Sequence, residues 1–339
     1  MTRETKPDPL SDLLDRKGTL VADGGMGTSL FAAGLRPGET PELWNVERPD
    51  AVLDVHRGFI EAGADIILTN TFGGTRTRLA LDGEEDRVAE LNAAGVATAR
   101  AAAEGTSVIV AGSVGPTGAL FEPLGPMTHA DAVAVFAEQM GALAEAGTDL
   151  LWIETLSSVE ELDAAVEAAE GAALPFVTTM SFDTNGHTMM GVAPAAFAEW
   201  WTSHEGGSPV AIGANCGVGP ADTVLAAHEI GAAGAGVAVI AKGNCGIPEV
   251  IDGKLWYPAS TDDMTAYAEF ALDAGATNIG ACCGSTPEHI AQIRRVVDTY
   301  RPGASFDSDA VEVRLGKVDR PASRGQRGRS RRRAITPIE

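Results

Sequence analysis

Residues 50–71 read DAVLDVHRGFIEAGADIILTNT, and this stretch contains one complete repeat of a helix-to-strand pattern that recurs along the chain. A helical segment, Asp50–Ala62, stops at Gly63, and a short apolar run, Asp65–Thr69, follows at once and ends in polar Asn70. A glycine at such a junction adopts the left-handed conformation that ends many helices. The stretch therefore predicts a helix that turns back directly into a buried strand.

The same junction recurs as EAGTD at 145–149 and DAGAT at 273–277. Strand-like apolar runs are found at Thr19–Ala22, Asp65–Thr69, Ser107–Ala111, Asp149–Ile153, Pro175–Met180, Pro209–Gly213, Val237–Ala241 and Thr277–Ala281. Helical segments follow them in order at Asp50–Ala62, Glu84–Ala103, His129–Ala146, Ser158–Glu170, Ala193–Ser203, Ala221–Ala233, Asp262–Ala274 and Pro287–Tyr300. Runs that are apolar on both faces and alternate with helices indicate a parallel sheet. Eight such units predict an α/β fold with one domain, a closed (β/α)₈ TIM barrel. The alternative is an open doubly wound sheet, but the first run lacks the GxGxxG turn of a dinucleotide fold.

The composition is that of a globular protein and excludes several functions. The chain has 339 residues, of which 45% are hydrophobic, and a formal net charge of −22, which argues against nucleic-acid binding by the folded body. The start, MTRETKPDPL, has no apolar signal region, and no apolar stretch has the length of a membrane span. Four cysteines in a chain of this length do not form a disulfide framework. We therefore expect a cytoplasmic protein with free thiols and no membrane partner.

The C-terminal part differs in composition from the rest. Residues 303–313 are mixed and acidic, and residues 324–333 read RGQRGRSRRR. The predicted boundaries are a barrel over 1–302 and a disordered basic tail over 303–339. The functional alternative for the tail is contact with a nucleic acid or an acidic surface.

Chemistry in a TIM barrel gathers where the strands end at their carboxyl side. The polar residues at the predicted strand ends are Asp23, Asn70, Thr71, Ser113, Glu154, Asn215, Cys216, Lys242, Asn244, Cys245, Cys282 and Cys283. The barrel thus predicts a site with thiols and two carboxylates on one face.

Cys216 in IGANCGVGP and the pair Cys282 and Cys283 in NIGACCGSTPEH are its most informative members. Three thiolates on two strand ends can converge on one soft metal, and zinc accepts sulfur ligands in a tetrahedral array. No CxxC pair exists, so the pattern favours a catalytic site with an open fourth position over a structural one. The alternative is that these are buried, inert cysteines.

Six motifs together resemble the homocysteine S-methyltransferase family. They are DGGMGTSL, GADIILTNTFGGT, GSVGPTG, ETLSS, GANCGVGP and GACCGSTPEHI, spread over residues 19–300. The runs MSFDTNGHTMMGV and WNVERPDAV, together with the basic tail, are most similar to the short bacterial betaine–homocysteine methyltransferases. The resemblance implies a (β/α)₈ barrel that binds zinc through Cys216, Cys282 and Cys283. It implies transfer of a methyl group from betaine to homocysteine, which gives methionine and dimethylglycine.

Roles for the other strand-end residues follow from the amino-acid substrate. Glu154 is predicted to bind the homocysteine ammonium with Asp23 nearby, while Asn70 and Ser113 complete the substrate site. Asp23 has an alternative as a helix cap. The sequence leaves two interpretations of Lys242 open. It either contacts the substrate carboxylate or forms an ion pair with an acidic barrel residue. Cys245 is left out of the ligand set because a fourth protein thiolate would block the substrate position.

The methyl donor is the open part of the assignment. Aromatic faces attract quaternary ammonium groups, and Trp44 and Phe72 are the predicted donor-binding residues, with Phe121 and Trp256 as further members. The chain departs from the vertebrate betaine enzymes at Phe72-Gly73, where those enzymes have an aromatic pair. Alternative donors are S-methylmethionine, another betaine, a sulfonium or a separate corrinoid protein. A non-catalytic zinc-binding barrel is the alternative from another class, and the sequence gives no oligomeric state.

Overall fold

The computed structural model describes residues 8–251, 254–303 and 305–318. All eight predicted strands form within them and build one parallel sheet. The ten strands of the described chain are β1 Leu20–Val21, β2 Ile66–Leu68, β3 Ile109–Val114, β4 Leu150–Leu156, β5 Phe176–Met180, β6 Ala211–Cys216, β7 Ala238–Gly243, β8 Glu249–Ile251, β9 Lys254–Trp256 and β10 Asn278–Ala281. Strands β8 and β9 pair separately as an antiparallel hairpin between β7 and the next helix, which the sequence analysis did not predict.

The sheet closes on itself, which confirms the predicted TIM barrel. Its order is β1-β10-β7-β6-β5-β4-β3-β2, and a parallel bridge between Ala22 and Ile66 joins the two outer strands. At this seam the Asp23 amide donates to the Ile66 carbonyl at 3.0 Å, and the Asp65 amide donates to the Val21 carbonyl at 2.7 Å. A closed sheet leaves no free strand edge.

Helices surround the barrel, and each predicted helical segment is present. The described helices are α1 Pro9–Lys17, α2 Met26–Ala32, α3 Trp44–Glu47, α4 Pro49–Glu61, α5 Arg76–Leu79, α6 Val88–Ala103, α7 His129–Ala146, α8 Val159–Ala172, α9 Pro194–Ser203, α10 Pro220–Ala232, α11 Thr261–Asp273, α12 Pro287–Thr299 and α13 Ser308–Leu315. Gly63, Gly147 and Gly275 follow α4, α7 and α11 with φ of 98°, 97° and 87°, as the recurring junction predicts.

The amino-terminal end of the barrel is closed by apolar packing. Leu10 and Leu13 of α1 are buried against strand residues of the barrel interior, including Leu20, Ile66 and Trp152. The opposite end, where the strands finish, is left for polar residues. We call this carboxyl end the mouth of the barrel.

The described part of the predicted tail is not all disordered. Residues 308–315 form α13, and Val311 is fully buried in the core cluster that contains α10 and α11 residues. The barrel unit therefore continues past the predicted boundary at 302, because an apolar position in this mixed segment finds a groove between two outer helices. The basic stretch 324–333 lies outside the described residues. Among the helices of the described chain, none has the length and apolar character needed to cross a membrane.

Candidate metal and substrate site

Three cysteines meet at the mouth. Cys216 ends β6, and Cys282 and Cys283 follow β10, and the three sulfur atoms all lie within 4.8 Å of one another. The Sγ atoms of Cys216 and Cys282 are 2.9 Å apart. Within the described chain this is the group whose ligand atoms are spaced to hold a metal ion, and it offers three sulfur donors of the kind that zinc accepts.

The turns that carry these cysteines depend on glycine and on an unusual backbone. Cys216 itself has a φ of +56°, a conformation that non-glycine residues seldom adopt. Gly284, with φ of +82°, follows the cysteine pair, and a Cβ there would lie 2.1 Å from the Tyr257 ring. The glycine is therefore required both by the turn and by the tyrosine that packs on it.

Asn244, at the end of β7, ties the two cysteine turns together. Its side-chain Oδ1 accepts from the Cys283 amide at 2.9 Å, and its Nδ2 donates to the Gly217 carbonyl at 2.8 Å. Its backbone amide donates to the Cys216 carbonyl at 3.2 Å. Asn244 thus joins the turns after β6 and β10, the two strands on either side of β7, and so keeps the thiols together.

Protonation within the group is uneven in the absence of metal. Hydrogen bonds from the Cys216 and Cys282 thiols lower the pKa of Cys283 to about 4. The pKa of Cys216 is raised because its thiol donates to its neighbours. A bound cation would favour the thiolate form of all three sulfurs and displace their protons.

Cys245 is separate from the group. Its side chain is fully buried in an apolar cluster, and burial raises its pKa to about 12. It behaves as a small core residue, and its amide donates to the Cys283 carbonyl at 2.9 Å.

Glu154 lies at a β-bulge near the end of β4. The pairing register with β5 shifts between Ile153 and Leu156, and Thr155 has a φ of +64°. Bulges of this kind re-aim a side chain. The Glu154 carboxylate accepts from Ser113 Oγ at 2.6 Å and from Asn215 Nδ2 at 3.3 Å. Burial raises the pKa of Glu154 to about 7, although nearby Lys242 lowers it.

Asn215 also holds the bulge. Its Oδ1 accepts from the Thr155 amide at 2.8 Å and from Thr179 Oγ1 at 2.6 Å, and its Nδ2 donates to Thr155 Oγ1 at 2.7 Å. The residue before Cys216 thus supports Glu154, so the structure joins the predicted metal ligands and the predicted ammonium ligand through adjacent residues.

Asp23 and Lys242 form a buried ion pair, which agrees with the second interpretation of the lysine, an ion pair with an acidic barrel residue. Lys242 Nζ lies 3.3 Å from Asp23 Oδ1, and Asp23 Oδ2 accepts from the Leu68 amide at 2.7 Å. Helix α2 is capped at Gly25 without a side-chain bond, so Asp23 is not its cap. Burial raises the pKa of Asp23 to about 6, even though Lys242 lowers it. Burial by itself lowers the pKa of Lys242, but Asp23, Cys282 and Glu154 raise it by more.

Asn70 forms hydrogen bonds with residues of the loop after β1. Its Nδ2 donates to the Pro41 carbonyl at 2.8 Å and to Asn45 Oδ1 at 2.9 Å, and its carbonyl accepts from Asn45 Nδ2 at 2.7 Å. Asn70 therefore joins the loops after β1 and β2, and its amide nitrogen is already satisfied within the protein.

The predicted aromatic residues have different surroundings. Trp44 is only 5% exposed and packs with Leu30 and Val52, and the Arg48 guanidinium lies 4.3 Å from its ring centroid. The Trp44 ring therefore does not stand open to a donor cation, because arginine takes one face and apolar residues surround it. Phe72 is 37% exposed, and its ring lies over Gly115. Phe121 is partly buried against the α7–α8 side of the core, and Trp256 is exposed on the β8–β9 hairpin.

Glu42 is a residue that the sequence analysis missed. It is buried in the 3₁₀ turn Pro41–Leu43, and its Oε1 accepts from the Gly73 amide at 2.6 Å. A Cβ at Gly73 would lie 3.1 Å from that oxygen. Where the vertebrate betaine enzymes have the second residue of an aromatic pair, this chain therefore has Gly73 with the Glu42 carboxylate packed against it. No local pattern marks an acidic residue in a loop as buried.

A closed barrel with three thiols and two buried carboxylates at its mouth defines a class of TIM-barrel protein that can hold a soft metal at the ends of its strands. The family model for homocysteine S-methyltransferase matches residues 20–297, and the chain belongs to this family, which confirms the resemblance drawn from its motifs.

Relatives and solved structures agree with this membership. The methionine synthase of Mycobacterium tuberculosis is 29% identical over 354 aligned positions, covering 94% of this chain and 29% of that protein. The methionine synthase of Mycobacterium leprae is 28% identical and covers 87% of this chain and 26% of that protein. The chain thus spans less than a third of the length of these relatives. The metallated form of the homocysteine methyltransferase MmuM from Escherichia coli superposes with a TM-score of 0.70 at 26% identity, covering 85% of this chain and 99% of that one.

Proposed function

We propose that this protein is a zinc-dependent methyltransferase that transfers a methyl group to the sulfur of homocysteine and so forms methionine. The observation that carries the proposal is the cysteine group, with sulfur atoms within 4.8 Å of one another, in a chain of the homocysteine S-methyltransferase family. The remaining alternative, a non-catalytic zinc-binding barrel, is excluded by any turnover of homocysteine.

The proposed zinc ligands are Cys216, Cys282 and Cys283. Three sulfur donors at the end of a barrel leave room for one more ligand in a tetrahedral arrangement. When bound, zinc supplies the positive charge that lets a substrate thiol lose its proton near neutral pH. The protein's own part is to hold the three sulfurs in place, which Asn244 supports through both cysteine turns.

Glu154 is the proposed partner of the homocysteine ammonium. Asp23 already pairs with Lys242, whereas Glu154 accepts hydrogen bonds from the neutral groups of Ser113 and Asn215. An incoming ammonium would favour the ionised form of a carboxylate whose pKa burial has raised to about 7. In this proposal the charges of Asp23 and Lys242 influence the protonation of Glu154 without contacting the substrate. Ser113 orients the Glu154 carboxylate through its hydrogen bond.

Betaine is the methyl donor that we propose. Its support is the similarity of MSFDTNGHTMMGV and WNVERPDAV to the short bacterial betaine enzymes, together with the partly exposed Phe72 side chain. A quaternary ammonium is attracted by an aromatic face such as that of Phe72. Transfer to the sulfur is a direct displacement, so the donor pocket contributes chiefly by aligning the methyl carbon. The proposed location is the cytoplasm, where three free thiols stay reduced.

The test is a donor screen with purified protein, homocysteine and one donor at a time, read as methionine formed. Glycine betaine, S-methylmethionine, dimethylsulfoniopropionate and a methylated corrinoid protein are the arms. We expect turnover with betaine and formation of dimethylglycine in equal amount. Turnover with a different arm alone would replace betaine but keep the methyltransferase, and no turnover with any arm would contradict the proposed function.

A further inference from the structure

Exposed apolar side chains in this protein are gathered at the mouth. Of the fourteen large hydrophobic residues exposed in the described chain, thirteen lie in segments that connect a barrel strand to the next long helix. The exception is Val313, which lies on α13. The connections at the opposite end of the barrel contribute none among the described residues. Single exposed apolar residues are ordinary, but a one-sided concentration of them marks a binding surface.

The β8–β9 hairpin is the densest part of this surface. Ile247, Val250, Ile251, Leu255 and Trp256 are between 47% and 73% exposed. These side chains leave an apolar face of the hairpin exposed, and such a face favours a packed partner. Its base is anchored beside the cysteines, because Tyr257 packs against Gly284 and the Ala259 amide donates to the Cys245 carbonyl at 2.9 Å.

Helix α13 carries the chain toward the same surface. At its start, Phe306 stacks on His228 in the second half of α10 with ring centroids 4.0 Å apart. At its end, Arg314 donates to Asp263 at 2.8 Å, in the first turn of α11. Barrel helices begin at the mouth and run away from it. Helix α13 therefore runs from the far end toward the mouth, and its last turn lies beside the first turn of α11, the helix that follows the hairpin.

The charges of the two parts are opposite. Residues 319–339 contain seven arginines against one aspartate and one glutamate, a formal charge of +5. Because the whole chain carries −22, the preceding 318 residues carry −27. The segment also ends in AITPIE, so it offers two isoleucines after its basic stretch. At up to about 3.5 Å per residue, twenty-one residues can extend well across a barrel mouth.

We propose that the mouth is a docking surface for the chain's own C-terminal segment, residues 319–339. The arginines contact the acidic body, and the apolar end contacts the β8–β9 hairpin. This inference does not depend on the identity of the methyl donor.

The experiment uses the full chain and compares amide hydrogen exchange in residues 247–251 and 254–256. One variant changes the six arginines of 324–333 to glutamine, and the control changes Arg57, Arg295 and Arg301, which are exposed on outer helices or beyond α12. We expect hairpin exchange to become about tenfold faster in the first variant and in 0.5 M salt, and to stay unchanged in the control. Equal exchange in all proteins would overturn the proposal.

A second measurement identifies the occupant. A photo-crosslinking amino acid in place of Ile335 should join the C-terminal segment to the hairpin within one chain. Crosslinks between two chains, with a dimer in sedimentation, would make a second copy the occupant and overturn the proposal. Hairpin protection that appears only after another protein is added would overturn it as well.

Discussion

The two ends of this barrel each hold a buried aspartate at the same seam, but the two carboxylates have different partners. Asp65, at the amino-terminal end, accepts from the Val21 amide at 2.9 Å, from Arg294 at 2.9 Å and from Lys17 at 2.5 Å. Asp23, at the mouth, accepts from the Leu68 amide at 2.7 Å and has one cation, Lys242, 3.3 Å from its other oxygen, and burial raises its pKa to about 6.

This difference separates stability from function within one sheet. A carboxylate with every oxygen satisfied stabilises the closure between β1 and β2. A buried carboxylate whose pKa lies above its usual range is poised to respond to a bound charge. The same division holds for packing, since α1 seals one end with apolar side chains while the mouth exposes them.

The largest expected effect, on zinc content and turnover, comes from substitution of a proposed metal ligand at the mouth. Cys282→Ala should lose the bound zinc of about one ion per chain and reduce turnover by at least about 100-fold, because two thiols alone do not complete the site. Zinc analysis and methionine formation measure both. Cys245→Ala is the control and should keep metal and turnover, because its thiol is outside the group. Full zinc retention in Cys282→Ala would contradict the ligand assignment.

Breaking the opposite end should affect stability and leave chemistry alone. Asp65→Ala removes the acceptor of a buried amide and of two cations, and we expect the free energy of unfolding in urea to fall by about 3 kcal/mol. Zinc content per folded chain should not change. Asp298→Ala removes an exposed partner of the same Arg294 and should cost about 0.5 kcal/mol or less. A loss of zinc in Asp65→Ala would show that the two ends are coupled.

The smallest expected effect concerns the affinity for methionine at the mouth and how that affinity depends on pH. Glu154→Gln should weaken methionine binding by about 10-fold to 100-fold, which corresponds to a charge-assisted hydrogen bond of about 1.5–3 kcal/mol. Methionine is the probe because it carries the ammonium but no thiol that can ionise. Since burial raises the pKa of Glu154 to about 7, the carboxyl is protonated below that pH. Affinity should therefore rise as pH increases from 6 to 8 and then level off.

Calorimetry across this range measures the effect. The glutamine variant should show no such pH dependence, and Glu160→Gln, an exposed residue on α8, should behave like the unmodified protein. If affinity in Glu154→Gln still rose through pH 7, the ammonium would bind elsewhere, with Asp23 as the next candidate.

Most of the fold was predictable because it rests on local patterns. Apolar runs of strand length and glycine stops such as Gly63 depend on residues close in sequence, and eight apolar runs that alternate with eight helical segments specify the barrel. The strand-end rule then places Cys216, Cys282 and Glu154 at one mouth without any knowledge of distances. Helix α13 was missed because one buried valine, Val311, gives no periodic signal.

The partners of polar side chains were not predictable in the same way. The sequence by itself determined which residues reach the mouth, since strand order and period decide that. Only the tertiary structure decided that Lys242 pairs with Asp23 and that Glu42 packs on Gly73. The physical reason is that such contacts join loops far apart in sequence, and their energies depend on distances of a few ångströms that no local pattern encodes.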